Sequence, residues 1–432
     1  MENETEDQVQ TDWAREERRS FVLGVFNGAA FRFAESLIDP PLVLTWFVSD
    51  LTTSNLLRGL VAPLGDACWF LPQIFVSARV QRMRYKKPSY TWAAVGRTIA
   101  WVSLAVAVWF VHDPLLLLVG FFLLYMLARL LSGVAGLAFF DVVAKTVPAR
   151  RRGRFFAWRQ FLGGLFGLGG GWIVKTLINH PDLPFPRDYA LLFALYCVTM
   201  APGLFAFGLI REPPGAVVSE PVTVGEQLQR AFALLRLDQV YRRYIGARLI
   251  LALALIALPF YGIYAKDVLG APDWMVGVYS ITRLAALLVS NLFWGWLSDR
   301  KGNRIVMRVL NANIGLNALL AAGLVVLVAL LRPQGTWLPY LALPLYALDG
   351  AARPAYIMAG GSYLLELAPE KQRALYMGFT NTLMSVGILV SGMGGLVVDL
   401  IGFGGLFALA AGLCLAGYAL ATGLPEPREQ GG

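Results

Sequence analysis

From Ser20 to Gly423 the chain is a succession of runs of about 20 residues that carry almost no charge. Each run is long enough to cross a hydrocarbon layer of about 30 Å at about 1.5 Å of helical rise per residue. A soluble fold could not cover its surface with what remains, because 57% of the 432 residues are hydrophobic and only 15% are charged. The chain is therefore expected to be a polytopic membrane protein. Twelve spans are read, at 20–48, 54–77, 89–111, 114–143, 154–178, 188–210, 243–268, 274–297, 304–331, 337–366, 373–399 and 402–423. They must be helices, since each backbone in hydrocarbon has to pair its own N–H and C=O groups, and the alternating polarity of a transmembrane barrel is absent.

The loops give the orientation. Arg79, Arg82, Arg84, Lys86 and Lys87 lie between spans two and three, Lys145, Arg150, Arg151, Arg152 and Arg154 between four and five, and Arg300, Lys301 and Arg304 after span eight. The opposite side offers little beyond Lys175, Arg187, Lys266 and Arg332. Lys and Arg are retained on the cytoplasmic side, so the basic loops and both termini are expected there, in a plasma (inner) membrane. Trp46, Trp109 and Trp337 fall at outer span ends, as an interfacial belt requires. The net charge of +9 is thus an orientation signal and implies the lipid bilayer, not nucleic acid, as partner. Residues 1–19 are acidic and polar and read as a disordered cytoplasmic tail; no signal-peptide pattern is present, so the first span is expected to be retained. Cys68, Cys197 and Cys414 each stand alone in an apolar run, with neither disulfide nor metal spacing, and read as small core residues; no cofactor or metal is implied.

Residues 211–242 are the one long interruption. They open as REPPGAVVSEP, a flexible composition, and continue with Thr223 and Glu226 spaced as a capping box and Leu228, Phe232 and Leu235 recurring at helical spacing. A short amphipathic helix on the cytoplasmic face is expected, with Arg230 and Arg236 toward headgroups. The chain divides into a tail at 1–19, a six-helix bundle at 20–210, this linker at 211–242, and a second six-helix bundle with a short tail at 243–432.

The two bundles repeat. Residues 294–304, WGWLSDRKGNR, join two apolar runs through a charged hairpin, and 75–84, FVSARVQRMR, hold a damaged copy. A shift of 221 residues places Ser77 on Ser298 and Arg79 on Arg300; the same shift places Pro148 on Pro369, Arg152 on Arg373, Leu162 on Leu383 and Gly171 on Gly392. Two loops that agree on one offset indicate a parallel internal repeat. The expected fold is all-α, with twelve transmembrane helices in two pseudo-symmetric six-helix bundles.

GWLSDRKGNR, from Gly295 to Arg304, resembles the G-x-L-[AS]-D-[RK]-x-G-x-[RK] loop signature of the major facilitator superfamily, and PARRRGR after span four resembles that superfamily's equivalent loop. With twelve spans in two repeats, the likeness covers nearly the whole chain. The signature usually stands after span two, often in better condition than after span eight; here Ala78 takes the aspartate position of the first loop. The resemblance implies a cytoplasmic gate of Gly295, Asp299, Arg300, Gly302, Arg304 and Arg152, with Asp299 docked near the start of span five when the cytoplasmic side is closed. An aspartate leaving one helix is stabilised by the positive N-terminal end of another, and the adjacent Arg pairs with carboxylates. The competing reading is a plain positive-inside loop with a turn glycine.

Charges inside the spans cost about 2.5–3.5 kcal/mol each on insertion scales and need a reason. Gly28, Arg32, Glu35 and Asp39 share one helical face in span one; Asp66, with Trp69 and Gln73 beside it, lies in span two; Tyr125, Arg129 and Ser132 share a face in span four; Tyr346, Asp349, Arg353 and Tyr356 do so in span ten. In the superfamily resembled, spans one, four, seven and ten line a central cavity, and these faces fall in three of those four. Arg32, Tyr125, Arg129, Ser132, Tyr346, Asp349, Arg353 and Tyr356 are the substrate-cavity candidates, and Glu35, Asp66 and Asp39 the proton-coupling candidates. A carboxylate at mid-depth is pushed toward its neutral form by desolvation and toward its ion by a nearby guanidinium, so moving the arginine moves a proton. The competing reading makes Arg32–Glu35 and Asp349–Arg353 intrahelical ion pairs. Arg97 and Arg248 lie near span ends and are expected to snorkel; Arg283 is undecided. Pro40, Pro41, Pro259, Pro344 and Pro354 mark expected hinges.

Span five, GGLFGLGGGW, is not a nucleotide loop, because Val174 and not glycine precedes Lys175-Thr176; Gly163, Gly167 and Gly171 form a ridge for close helix contact, as Gly387, Ser391 and Gly395 do in span eleven. An enzyme is disfavoured, as His112 and His180 lie in outer loops away from any buried carboxylate or serine. The reading is a secondary active transporter, a monomer, moving a small polar or amphipathic solute by alternating access with proton coupling. The alternatives are a multidrug/proton antiporter of the same fold, weakened by the absence of Gly-Pro in span five, and a non-transporting receptor or lipid scramblase.

Overall fold

The computed structural model describes residues 2–178, 180–215, 224–369 and 372–426. The first span consists of α1 (Glu2–Leu37) and α2 (Thr45–Leu51), joined by a π-helical turn at Pro40–Leu44. Spans two to six are α3 (Asn55–Gln81), α4 (Lys87–Phe110), α5 (Pro114–Thr146), α6 (Ala149–Leu177) and α7 (Arg187–Gly208). After α8 (Val224–Leu237), α9 (Gln239–Ala254) and α10 (Leu258–Asp267) form span seven. The remaining spans are α11 (Met275–Lys301), α12 (Asn303–Leu331), α13 (Leu343–Leu367), α14 (Arg373–Ser391) and α15 (Gly394–Thr422). Within α15 the backbone at Gly402 is not helical (φ 71°, ψ 176°), and this residue divides the end of span eleven from span twelve. The result is twelve spans in two six-helix bundles.

Both halves pack alike. In the first, α1 lies against α6 and α7, α5 against α3 and α4, and α4 against α7. Their counterparts repeat each pair: α9 against α14 and α15, α13 against α11 and α12, and α12 against α15. Among the described residues, eight spans are apolar and long enough on their own to cross a membrane; α3, α6, α13 and α14 are not among them. Three of these four have a reason in the packing: α3 meets α14 and α15 of the other half, and α6 meets α11. A helix facing protein tolerates polar residues that a lipid-facing helix does not. Outward positions show the opposite character, Leu292 and Leu400 each being 82% exposed, as lipid-facing positions of a membrane protein are.

Three local readings need correction. The tail read as disordered continues α1 backward through residues 2–19, a stretch without Gly or Pro to stop the helix. Arg97 and Arg248 do not snorkel: they are 3% and 6% exposed, with the Arg97 guanidinium over the Phe31 ring at 5.4 Å and that of Arg248 over Tyr356 at 4.5 Å. In the linker helix α8, Phe232 lies edge-on to Phe379 of α14 at 5.2 Å, so this face meets protein. Thr223 and the side chains of Leu228 and Arg230 lie outside the described residues.

The core shows how the halves meet. At the face remote from the termini, one apolar cluster runs through both halves, joining Trp46, Phe47 and Tyr189 to Tyr261, Tyr279 and Phe407. Toward the terminal face the core separates: Val25, Tyr90, Val142 and Phe207 belong to the first half alone, and Tyr241, Leu310, Tyr363 and Leu424 to the second alone. The two bundles are therefore sealed at the distal end and parted at the terminal end.

Candidate functional site

The part between the bundles is a cavity lined from both halves, by Arg32, Glu35, Asp39, Asp66, Arg129 and Gln160 on one side and Ser280, Arg283, Asn291 and Arg353 on the other. Span one bends into it. Pro40 and Pro41 have no N–H to donate to Ser36 and Leu37, so the helix opens, and the Leu44 N–H reaches the Asp39 carbonyl at 3.3 Å. The opening leaves Asp39 at a helix end, directed at the opposite half. Close approach elsewhere depends on the glycine ridge of α6: a β-carbon at Gly163 would lie 2.5 Å from Arg32 Cβ, and one at Gly171 2.8 Å from Ile281 of α11.

Two arginines organise the charge, each shared by two carboxylates. Arg129 Nη1 lies 3.6 Å from Glu35 Oε2, and its Nη2 lies 3.4 Å from Asp66 Oδ1 while Nε donates to the Gly65 carbonyl at 3.1 Å. Arg283 Nε donates to Asp349 Oδ2 at 2.5 Å, and Nη1 pairs with Asp39 of the other half. The charges are exchanged between repeats. In the first half the acid is on span two and the arginine on span four; in the second the arginine is on span eight and the acid on span ten. Intrahelical Arg32–Glu35 and Asp349–Arg353 pairs are not formed; the carboxylates turn to neighbouring helices instead.

Other cavity candidates lie elsewhere. Tyr125 is 1% exposed and stacks on Phe121 at 5.4 Å, its hydroxyl packed against Gly65. Ser132 is buried and donates to the Ala128 carbonyl of its own helix at 2.8 Å. Tyr346 is buried and stacks on Tyr279 at 4.2 Å, and Tyr356 carries the Arg248 guanidinium on its ring. Helical spacing put these residues on one face with Arg129 and Asp349, but large rings fill the space between helices while the long arginine reaches past them. Sequence reasoning also passed over Gln160, Ser280 and Asn291, which come from spans five and eight.

Distal closure is made by polar bonds between halves. Arg58 Nη1 pairs with Asp267 Oδ2 at 2.5 Å, Lys266 Nζ with Asp50 Oδ1 at 2.5 Å, Trp46 Nε1 donates to Asp273 Oδ1 at 2.7 Å, and Asn55 Nδ2 to Asp399 Oδ1 at 2.7 Å. Sequence reading named Trp46 as an interfacial ring and Lys266 as an outer charge but none of these pairings, because the mates lie over 200 residues away.

At the terminal face, polar bonds between described residues close each half on itself. Lys86 and Lys87 donate their backbone N–H groups to Glu212, which also pairs with Lys145 at 2.8 Å. In the second half Glu426 is 5% exposed and accepts the Arg304 N–H at 3.1 Å. A Glu-Pro dipeptide thus closes each half by capping the start of its third helix, a signal visible in the sequence at 212–213 and 426–427. Gly302, at φ 79°, ends α11 where a β-carbon would meet the Glu426 carboxylate at 2.4 Å. Of the gate candidates, Gly295 has open space beside it, Arg300 lies over Trp296 at 5.6 Å, Arg304 Nη1 donates to the Leu424 carbonyl at 3.4 Å, and Arg152 caps α5 through the Ala144 and Val147 carbonyls. Asp299 is exposed and touches no partner among the described residues. It is not docked on α6 in this conformation.

Comparison with known proteins follows the same architecture. The chain superposes on a D-xylose-proton symporter with a TM-score of 0.72 at 16% identity, covering 95% of this chain and 98% of that one. A POT family transporter in complex with 5-aminolevulinic acid gives 0.71 at 13% identity, covering 94% and 95%. A bacterial homologue of the iron transporter ferroportin in the inward-facing state gives 0.67 at 14% identity, covering 95% and 98%. Residues 270–432 match the sequence model of the Major Facilitator Superfamily. That match lies in the second half of the chain, and the whole chain shares its fold with the transporters it superposes on. Uncharacterized proteins of Mycobacterium tuberculosis and Mycobacterium bovis are each 26% identical over 271 residues, 61% of this chain. The match spans 49% of the length of those relatives.

Proposed function

We propose that the cavity is the substrate site of a proton-coupled transporter working by alternating access, and that the conformation described is open toward the cytoplasm. The observation that carries the reading is the asymmetry of closure. The halves share a core and four polar bonds at the distal face, whereas the terminal core is divided. The basic terminal-face loops support a cytoplasmic orientation of that face under the positive-inside rule, in a plasma or inner membrane.

Glu35 and Asp66 share Arg129, and Asp39 shares Arg283 with Asp349, so each arginine stabilises two carboxylates at once. When rocking draws an arginine away, the carboxylate left behind takes a proton; when the arginine returns, the proton leaves. The distal pairs would break as the terminal side closes and Asp299 docks near the start of α6. The solute is small and polar or amphipathic, and the working unit is a monomer of two bundles bounded by the 211–242 linker.

The test is reconstitution in vesicles carrying a pH-sensitive dye. Solute entry from a panel including D-xylose, succinate and choline should acidify or alkalinise the lumen only with protein present. Solute flux with no proton movement would remove the coupling; no flux of any probe would count against transport.

A further inference from the structure

Arg32 and Arg353 line the cavity from opposite halves, one on α1 and one on α13. Among the described residues neither forms an ion pair or hydrogen bond, whereas Arg129 and Arg283 each hold two carboxylates. Arg32 is half-buried, its stem passing over Gly163, and Arg353 is exposed to the cavity. Water in an open cavity can solvate both. A solute that enters and displaces that water strands two guanidinium groups unless it brings acceptors of its own.

We propose that the solute is a small organic anion, with a carboxylate or phosphate group held between Arg32 and Arg353. This deepens the transport reading and rests on it. The planar fork of a guanidinium matches both acid types, and one fork from each half gives the anion more contacts when the halves close around it than when they part. A neutral solute would leave both forks without acceptors, and a cation would face them directly.

The charge balance ties the anion to the proton. Arg32, Arg129, Arg283 and Arg353 stand against Glu35, Asp39, Asp66 and Asp349, so the site is neutral when all are ionised. One proton on a shared carboxylate leaves a single positive charge, which one negative charge on the solute cancels. Loading with anion and proton together therefore keeps the closed site neutral.

The test uses purified full-length protein, with binding measured by thermal shift and titration against succinate, benzoate and glycerol phosphate, and with D-xylose and choline as neutral and cationic probes. At least one anion should bind saturably while D-xylose and choline do not. Arg353→Gln and Arg32→Gln should each weaken that binding about tenfold or more, and Arg353→Lys should recover part of it. Arg353 is exposed, so its variants should keep the unliganded melting temperature, which guards against misfolding as the cause. Binding of D-xylose or choline with no anion bound, absence of binding by all three anions, or anion binding unchanged in both Gln variants overturns the proposal. Anion binding without vesicle flux would remove the transport reading and leave this site standing; flux of D-xylose without anion binding would do the reverse.

Discussion

Arg283 of α11 pairs with Asp39, 244 residues earlier in the chain, and joins the two halves at the base of the cavity. The pair exists because Pro40 and Pro41 break span one just after Asp39 and leave its carboxylate free to cross. Arg283 also holds Asp349 of its own half at 2.5 Å, so a single side chain links the cavity floor to both bundles. Separating the halves at the distal side requires giving up Asp39 while keeping Asp349.

The distal latch should set the balance between the two open states. Arg58 is 6% exposed and bonds Asp267 as well as the Thr52 carbonyl at 2.8 Å. Asp267→Asn should weaken distal closure by about 1–2 kcal/mol, roughly a 5- to 30-fold change in the population ratio. Distances between spin labels at Thr53 and Val268 should lengthen in a larger fraction of molecules. An unchanged distribution would show that the apolar cluster alone holds this face.

Asp299 gives the opposite expectation. It is exposed and unbonded here, so Asp299→Asn should leave the unliganded melting temperature unchanged within error. Its effect should appear only when the terminal face closes, where a charge–dipole contact of about 1 kcal/mol is lost. Labels at Arg151 and Lys301 read that closure; a variant that closes as readily as wild type assigns the hairpin to topology alone.

How much of this was legible in sequence depended on distance along the chain. The spans, the repeat and the break at Pro40-Pro41 follow from local composition, offset and missing donors. Glu35, Asp66, Arg129, Asp39 and Asp349 were found because charge inside a span is rare. The pairings stayed open: helical spacing offers Arg32 as a partner for Glu35, whereas the fold turns Glu35 to Arg129. Tyr125 and Tyr346 share faces with cavity residues but are drawn into the core by their rings. Arg58 and Lys266, near helix ends, and Asp273, between α10 and α11, have mates on the other half, which no local pattern can specify.

Glu35 is the first candidate for the proton. Glu35→Gln should abolish accumulation driven by a proton gradient while leaving exchange between equal solute pools intact, measured with whichever anion binds. Because Glu35 and Asp66 share Arg129, Glu35→Gln and Asp66→Asn should be non-additive, with a coupling of roughly 0.5–3 kcal/mol. Gradient-driven accumulation at wild-type rate in Glu35→Gln would pass the role to Asp66.

The central claim is that the halves rock about the cavity, sealing one face as the other opens. The most direct measurement labels the wild-type protein in two pairs, Thr53 with Val268 at the distal face and Arg151 with Lys301 at the terminal face, and follows both distances as pH and anion are varied. The account predicts that the distal distance lengthens under the same conditions that shorten the terminal one. Distances that change in the same sense, or a terminal distance that stays fixed while the distal one moves, would contradict it.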